Sequence, residues 1–399
     1  MLDVADALAE VLRHARPLRP VTARIGPGLL GQVLAADVVA DRDSPPFAKS
    51  LRDGYAVRSA DCSGGTILGV IEEIAAGVMP SKIVGPGECA RIFTGAPIPD
   101  GADAVVMQED TEPLGGGRVR VNERVKAGQW VFARGTEMRA GDVVIPAGRE
   151  LGASAVGVLA SVGQSDVPVI ARPRVSVFAT GDELVDVAAT PGPGRIRNSN
   201  GPMLAAQATH AGAEVEDCGI VRDDAAEMRA RVGAALAGSD VVLLAGGVSA
   251  GKFDLVPGVL EELGVQAHFH HVRMKPGKPL LFGTAGGVLV FGLPGNPVSA
   301  FVCFELFVRP AVRAMCGHAD PGPETDLLPL AEAIAESNDR PTYRPAKRER
   351  TDTGWAVRPL AWAGAPDLRG MQPADTLIVL PAGDARLDRG AVVPTIAIR

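Results

Sequence analysis

The chain is poor in aromatic residues. Phe, Tyr and Trp together make up 4% of its 399 residues, so any core must be built mostly from Ala, Val and Leu. Cysteine is scarce too. Cys62, Cys89, Cys218, Cys303 and Cys316 are odd in number, scattered, and never spaced as C-x-x-C. That pattern fits reduced thiols better than a disulfide framework. No run approaches the ~18 apolar residues needed to span a bilayer. Asp3, Asp6 and Glu10 stand where a signal peptide would need an apolar stretch. The expectation is a cytoplasmic protein with no membrane partner. Positive charge is also in deficit, with 40 Lys and Arg against 47 Asp and Glu, a net −7. An acidic surface repels a phosphate backbone, which argues against nucleic acid as a partner. The glycine-rich run "GPGECARIFTGAPIPDGAD" holds no G-x-x-x-x-G-K-[ST] phosphate loop.

What the chain has in abundance is turn formers. Its 48 Gly and 32 Pro make up about a fifth of the residues, short of the roughly 25–30% that marks low complexity. Residues 3–16 place Val4, Ala7, Leu8, Val11 and Leu12 on one helical face. "SPPF" at 44–47 breaks the chain. From there to about 146, glycines separate β-like runs such as "GTILGVIEEI" and "GRVRVNERV", which predict a β-rich module. "GASAVGVLASVG" (152–163) predicts a helix. From Arg174, strand candidates ("RVSVFATG", "EVEDCGIV", "DVVLLAGG", "VQAHFHHV", "PLLFG", "VLVFGLPG") alternate with helix candidates, which predicts a parallel, doubly wound sheet. "HADPGPETD" (318–326) reads as a linker. Beyond it, "GWAVRPLAW", "TLIVLPAG" and "AVVPTIAI" predict a small all-β module. The fold class expected is multidomain α/β.

In open α/β sheets, ligands bind outside the carboxyl ends of the strands. Four such ends carry chemistry here. They are Thr180-Gly181-Asp182-Glu183; Gly246-Gly247-Val248-Ser249 leading to Asp254; Lys275 and Lys278 in "RMKPGKP"; and Pro294-Gly295-Asn296-Pro297 followed by Ser299. Glycine admits backbone N–H groups close to an anion, and a following helix start attracts phosphate. Two lysines stiffened by a Pro-Gly turn suit a multiply charged oxyanion. Carboxylates beside phosphates call for a hard divalent cation such as Mg²⁺. Glu183 and Asp254 are the first candidates for it, and Asp224 the third. Asp254 and Asp224 are also good helix caps. His268 and His270 alternate onto one strand face, but no third ligand at zinc spacing is visible in the sequence. In the β-rich module, "SLRDGYAVR" offers Asp53 and "FTGAPIPDGADAVV" offers Thr94, although Asp-Gly is also a common turn.

The ordered motifs "DGYAVR", "RIFTGAPIPDGADAVVMQED", "ATGDELV", "IRNSNGPML", "GGVSAGKFDLV", "MKPGKP" and "GLPGNPVSAF" resemble the molybdopterin molybdenumtransferase family. This is the MoeA type, which includes the E domain of gephyrin. The resemblance implies four domains: 1–45 with 147–172; a β-rich insert, 46–146; a doubly wound, MogA-like domain, 173–318; and a C-terminal β-barrel, 319–399. It implies a homodimer whose cleft is completed by Asp53 and Thr94 of the partner protomer. The implied reaction is molybdate insertion into adenylylated molybdopterin, with Mg²⁺-dependent hydrolysis that releases AMP. Gly246, Gly247 and Ser249 would cradle phosphate. Lys275, Lys278 and Ser299 would receive molybdate, with Pro294, Asn296 and Pro297 beside them. Arg340 or Arg344 of "DRPTYR" would assist, Arg344 being the choice carried forward. A MogA-type adenylylating protein would deliver substrate, and molybdoenzymes or their chaperones would take the product. Adenylyltransferase-type activity and a non-catalytic scaffold or paralogue are the alternatives. The sequence departs from the family at Ala48-Lys49-Ser50-Leu51-Arg52, at Thr136-Glu137, and at Gly364-Ala365-Pro366 where a serine is usual.

Overall fold

The computed structural model describes residues 1–248, 255–352 and 354–398. At its centre is a six-stranded sheet in the order Glu214–Val221, Arg174–Thr180, Val241–Ala245, Val288–Leu293, Leu281–Ala285, Gln266–Phe269. The first four strands are parallel. Val241–Ala245 is buried along its whole length, as expected of a strand covered by helices on both faces.

The expectation of an all-parallel sheet is corrected at one edge. Leu281–Ala285 pairs antiparallel with both Val288–Leu293 and Gln266–Phe269. The reason is the two-residue link Gly286-Gly287, with φ of 57° and 96°. Two glycines in the left-handed region make a tight hairpin turn, and two residues are far too few for a parallel crossover. Two reversals restore direction, so Gln266–Phe269 again runs parallel to Val288–Leu293. The ends of all the candidate-bearing strands therefore lie along one edge of the sheet.

Strand Pro20–Arg24 pairs with Asp166–Ile170, and Val38–Val39 pairs with Val143–Ile145. Leu29, Leu34, Leu159 and Val167 share a core there. Helix Val4–His14 departs from that grouping. Its buried residues Ala7 and Val11 enter the core of the doubly wound sheet, beside Phe282, Phe307 and Val308. An amphipathic face is served equally well by any apolar partner, and here that partner is the sheet edge and the helical run 297–315.

The β-rich insert is a six-stranded sheet in the order Ala104–Met107, Gly54–Val57, Glu88–Ile92, Thr66–Ile74, Arg118–Val121, Thr111–Gly115. The C-terminal module is a half-barrel of five antiparallel strands. Its outer strands approach closure, with Ala331 N–H donating to Val357 O at 2.8 Å. It is seated on the central domain through the segment 341–343: Lys275 N–H donates to Pro341 O at 2.9 Å, and Tyr343 N–H to Lys275 O at 2.7 Å. Among the described residues no helix is long and apolar enough to cross a membrane.

Candidate functional site

Strand Val241–Ala245 ends in Gly246 and Gly247, with φ of 110° and 63°. A Cβ at Gly246 would lie 2.5 Å from Thr180 O. Only glycine lets this turn press against the neighbouring strand end. The third strand end closes on the same point. Gly246 N–H donates to Leu293 O at 3.0 Å, and Gly295 packs against the Gly246 backbone. Asn200 Nδ2 donates to Gly295 O at 2.8 Å and ties in the "RNSNGPML" helix. Asn296 then stands at the N-cap position of helix Pro297–Cys303, without a side-chain capping bond, and that helix carries Ser299. Ser249 and Asp254 lie outside the described residues.

The carboxylates gather at the adjoining strand ends. The Glu183 carboxylate is exposed and folds back over Gly181. Asp182 N–H donates to Asp223 Oδ2 at 3.2 Å, and Asp223 N–H returns the bond to Asp182 Oδ1 at 3.4 Å. Asp224 is the N-cap of helix Ala225–Gly238, its Oδ1 accepting from Glu227 N–H at 2.7 Å. Capping therefore occupies one of its two oxygens. The donors at this end are carboxylate oxygens, the hard set that suits Mg²⁺ rather than a softer ion.

Lys275, Lys278 and Ser299 converge on one open cleft of about 470 Å³. Its opposite wall comes from the C-terminal domain of the same chain: Asn338, Arg340, Thr342, Trp362 and the Gly364-Ala365 loop. Lys275 Nζ donates to Asn338 Oδ1 at 2.8 Å. Asn338 is only 5% exposed, so the ammonium is anchored to a rigid support. Asn338 Nδ2 in turn approaches Glu336 Oε2 at 3.5 Å, and Glu336 pairs with Arg344. Val298 N–H donates to Ala365 O at 3.0 Å, which fixes the serine-less loop at the rim, next to Ser299. Arg340 lines the cleft, whereas Arg344 stands behind Glu336 and is not among the lining residues. Burial pulls the Arg344 pKa below its usual value. Of the two arginines of "DRPTYR", Arg340, just before strand Thr342–Thr351, faces the cleft, while Arg344 within that strand is held by its pair with Glu336.

Asp53 and Thr94 meet on the insert. Asp53 Oδ1 accepts from Thr94 N–H at 2.7 Å and from Thr94 Oγ1 at 2.8 Å. Those two bonds, the backbone one first, hold the Asp53 pKa below the ordinary carboxylate value. Gly54 follows for a steric reason: a Cβ there would sit 1.8 Å from Val106 O of the paired strand. The unusual basic run before Asp53 is accommodated locally. The Arg52 guanidinium lies 4.7 Å from the centre of the Trp130 ring. Lys49 Nζ lies 5.3 Å from that of Phe132 and 3.9 Å from Glu137 Oε1. Asp53 and Thr94 belong to the insert sheet, separate from the sheet that carries Lys275 and Ser299.

Asn338 and Trp362 were not singled out from the sequence. They reach the cleft from more than 60 residues downstream, and no local pattern sets them apart from other polar or aromatic strand residues. The histidines of "HFHH" do not act together. His268 Nε2 lies 2.9 Å from Thr284 Oγ1, while His270 Nε2 lies 2.8 Å from Val248 O.

Comparison with known proteins agrees along the chain. Residues 2–163 match the family described as the MoeA N-terminal region (domain I and II), and residues 176–314 match that described as a probable molybdopterin binding domain. A molybdopterin molybdenumtransferase of Staphylococcus aureus (strain Mu50) is 36% identical over 400 residues, covering 99% of this chain and 95% of that protein. One of Staphylococcus epidermidis is 33% identical with the same coverage. The crystal structure of a molybdopterin biosynthesis MoeA protein from Pyrococcus horikoshii OT3 superposes with a TM-score of 0.85 at 27% identity, covering 100% of both chains. The chain belongs to the molybdopterin molybdenumtransferase family.

Proposed function

We propose that this chain, by family a transferase of molybdenum cofactor biosynthesis, inserts molybdate into adenylylated molybdopterin with hydrolysis of the phosphoanhydride and release of AMP. The observation that carries this reading is the cleft shared by Lys275, Lys278, Ser299 and Arg340. Three cationic groups and a hydroxyl facing one open space suit a tetrahedral dianion. Ammonium groups serve as point charges and guanidinium as a fork for two oxygens. The Asn338 amide keeps the Lys275 ammonium in place before the anion arrives, which reduces the ordering cost of binding. The Gly246-Gly247 turn, with the Pro294-Gly295-Asn296-Pro297 loop against it, offers backbone room for the phosphates, and Ser299 on the following helix links that region to the oxyanion cleft.

Glu183 and Asp254 would hold Mg²⁺ through carboxylate oxygens, with Asp224 as a third ligand. The ion would neutralise charge developing on the phosphate oxygens. Asp53 and Thr94 are read as completing the site from the partner protomer of a homodimer, since on their own chain they belong to a different sheet. The Thr94 bonds keep Asp53 ionised and oriented, the state needed to hold a water or a metal-bound group. The protein is placed in the cytoplasm. A MogA-type protein would supply its substrate, and molybdoenzymes or their chaperones would receive its product.

The test is AMP release from adenylylated molybdopterin by the purified protein. Release is expected to require both Mg²⁺ and molybdate, and to fall strongly in Lys275→Ala and Asp254→Ala. Release at the same rate without molybdate, or net synthesis of the adenylylated pterin from ATP, would replace this reading with the adenylyltransferase alternative.

A further inference from the structure

Three side chains that the proposed reaction does not use meet where the N-terminal helix crosses the edge of the central sheet. Glu10 and His14 are four residues apart in helix Val4–His14 and so share a face. His268 arrives from strand Gln266–Phe269. Glu10 Oε1 is 3.2 Å from His14 Nε2 and 3.7 Å from His268 Nδ1. The two imidazoles lie 4.1 Å apart, centre to centre. One ligand atom from each of the three residues falls within 4.8 Å of the others, and all three residues are partly exposed.

These separations can be compared with what one metal ion requires. Two donors bound to Zn²⁺ at about 2.0–2.1 Å and a tetrahedral angle lie about 3.3 Å apart. The carboxylate-to-imidazole distances depart from that by a few tenths of an ångström, but the two rings are stacked at 28° to one another, so one of them must turn about its Cβ–Cγ bond to aim its nitrogen at a shared ion. Thr284 Oγ1 sits 2.9 Å from His268 Nε2. It engages the outer nitrogen and leaves Nδ1 for the cluster, the role that second partners play around ligating histidines. Burial and nearby Arg13 favour the neutral form of both rings, and Arg16 adds to this at His14. The neutral ring is the form that binds metal. Arg13 pairs with Glu10 Oε2 and so leaves Oε1 facing the histidines. Two imidazoles and one carboxylate suit zinc-class ions, not Mg²⁺.

We propose that Glu10, His14 and His268 form a three-ligand site for a zinc-class divalent ion, with a fourth position open to solvent, and that the ion fastens the N-terminal helix to the edge of the central sheet. The contacts around it already point to that junction. Leu2 N–H donates to His271 O at 3.3 Å, Arg273 N–H to Leu2 O at 2.8 Å, and Arg273 Nε to Asp3 Oδ1 at 2.7 Å. The strand fastened in this way leads directly into the segment that carries Lys275 and Lys278.

The test uses the full chain, stripped of metal with a chelator and titrated with Co²⁺ and then Zn²⁺. Wild type is expected to give the visible absorption of low-coordinate Co²⁺ at one ion per chain, bleached by Zn²⁺, and a rise in Tm on adding Zn²⁺ but not Mg²⁺. His14→Gln, on a half-exposed helix face and therefore expected to fold, should weaken Co²⁺ binding by about tenfold or more. His268→Ala, its fold checked by circular dichroism, should abolish the absorption. Absence of the Co²⁺ spectrum in wild type, or its retention unchanged in His14→Gln, overturns the proposal.

Discussion

Replacing Asn338 tests whether the Lys275 ammonium is positioned for an anion or merely stands at the surface. In the native chain Lys275 Nζ donates to Asn338 Oδ1 at 2.8 Å, and Asn338 is 5% exposed. A hydrogen bond to a charged group contributes about 1.5–3 kcal/mol. Lys275 is exposed, so water recovers part of that, and a loss of about 0.5–1.5 kcal/mol remains, or roughly a two- to tenfold weaker grip on molybdate. A second effect acts in the same direction. The Asn338 amide separates Lys275 from the Glu336 carboxylate, and without it a direct ion pair would neutralise the charge that the anion needs. Calorimetric titration with molybdate is the assay. Asn338→Ala should raise Kd within that range with little change in Tm. Asn338→Asp should raise it further, because it sets a carboxylate against the ammonium. If Asn338→Asp bound molybdate as tightly as wild type, the reasoning about Lys275 would be refuted.

Three other outcomes are expected. Thr94→Val removes one of the two bonds that depress the Asp53 pKa, so a carboxyl NMR titration should find that pKa moved up toward the ordinary value. Because the depressed carboxylate favours the folded state above its unfolded pKa, the stability it adds should be present at neutral pH. It should disappear as pH falls through the folded pKa, and in Thr94→Val it should disappear at higher pH. Gly54→Ala drives a methyl into Val106 O, a 1.8 Å approach, and should cost more than about 3 kcal/mol, the range of severe single substitutions. Urea unfolding should show it, with hydrogen exchange locating the damage in the insert sheet. Burial raises the Cys62, Cys89 and Cys316 thiols to about 11, 12 and 11, and Cys303 higher still. A chromogenic disulfide reagent at neutral pH should therefore react with at most Cys218 until the chain is denatured.

Parts of this architecture can be read from the sequence for identifiable reasons. Val241–Ala245 is a continuous apolar run ending in two glycines, and no other element type explains both features. The helix at 4–14 is legible from its apolar spacing, but the core it joins is not, because Ala7 and Val11 would fit any greasy surface. The antiparallel edge carried its own signal in Gly286-Gly287, which the alternation of strands and helices overrode. Lys275, Lys278 and Ser299 stood out because Pro and Gly frame them. Asn338 and Trp362 did not, because their relation to the cleft is set by how the half-barrel docks on Lys275 through Pro341 and Tyr343. The third member of the Glu10–His14–His268 cluster was hidden in the same way, more than 250 residues from its partners. Local chemistry is visible along the chain, whereas contacts across domain boundaries depend on packing that no short window contains.

The central claim is that the oxyanion is received between the "KPGK" turn and the C-terminal domain. Crystals soaked in molybdate or tungstate test it most directly through the anomalous signal of the heavy atom. The account predicts one strong peak within hydrogen-bond reach of Lys275 Nζ, Lys278 Nζ and Ser299 Oγ, facing Arg340, and its loss in Lys275→Ala crystals. A peak elsewhere with this cleft empty, or one unchanged in Lys275→Ala, would contradict it.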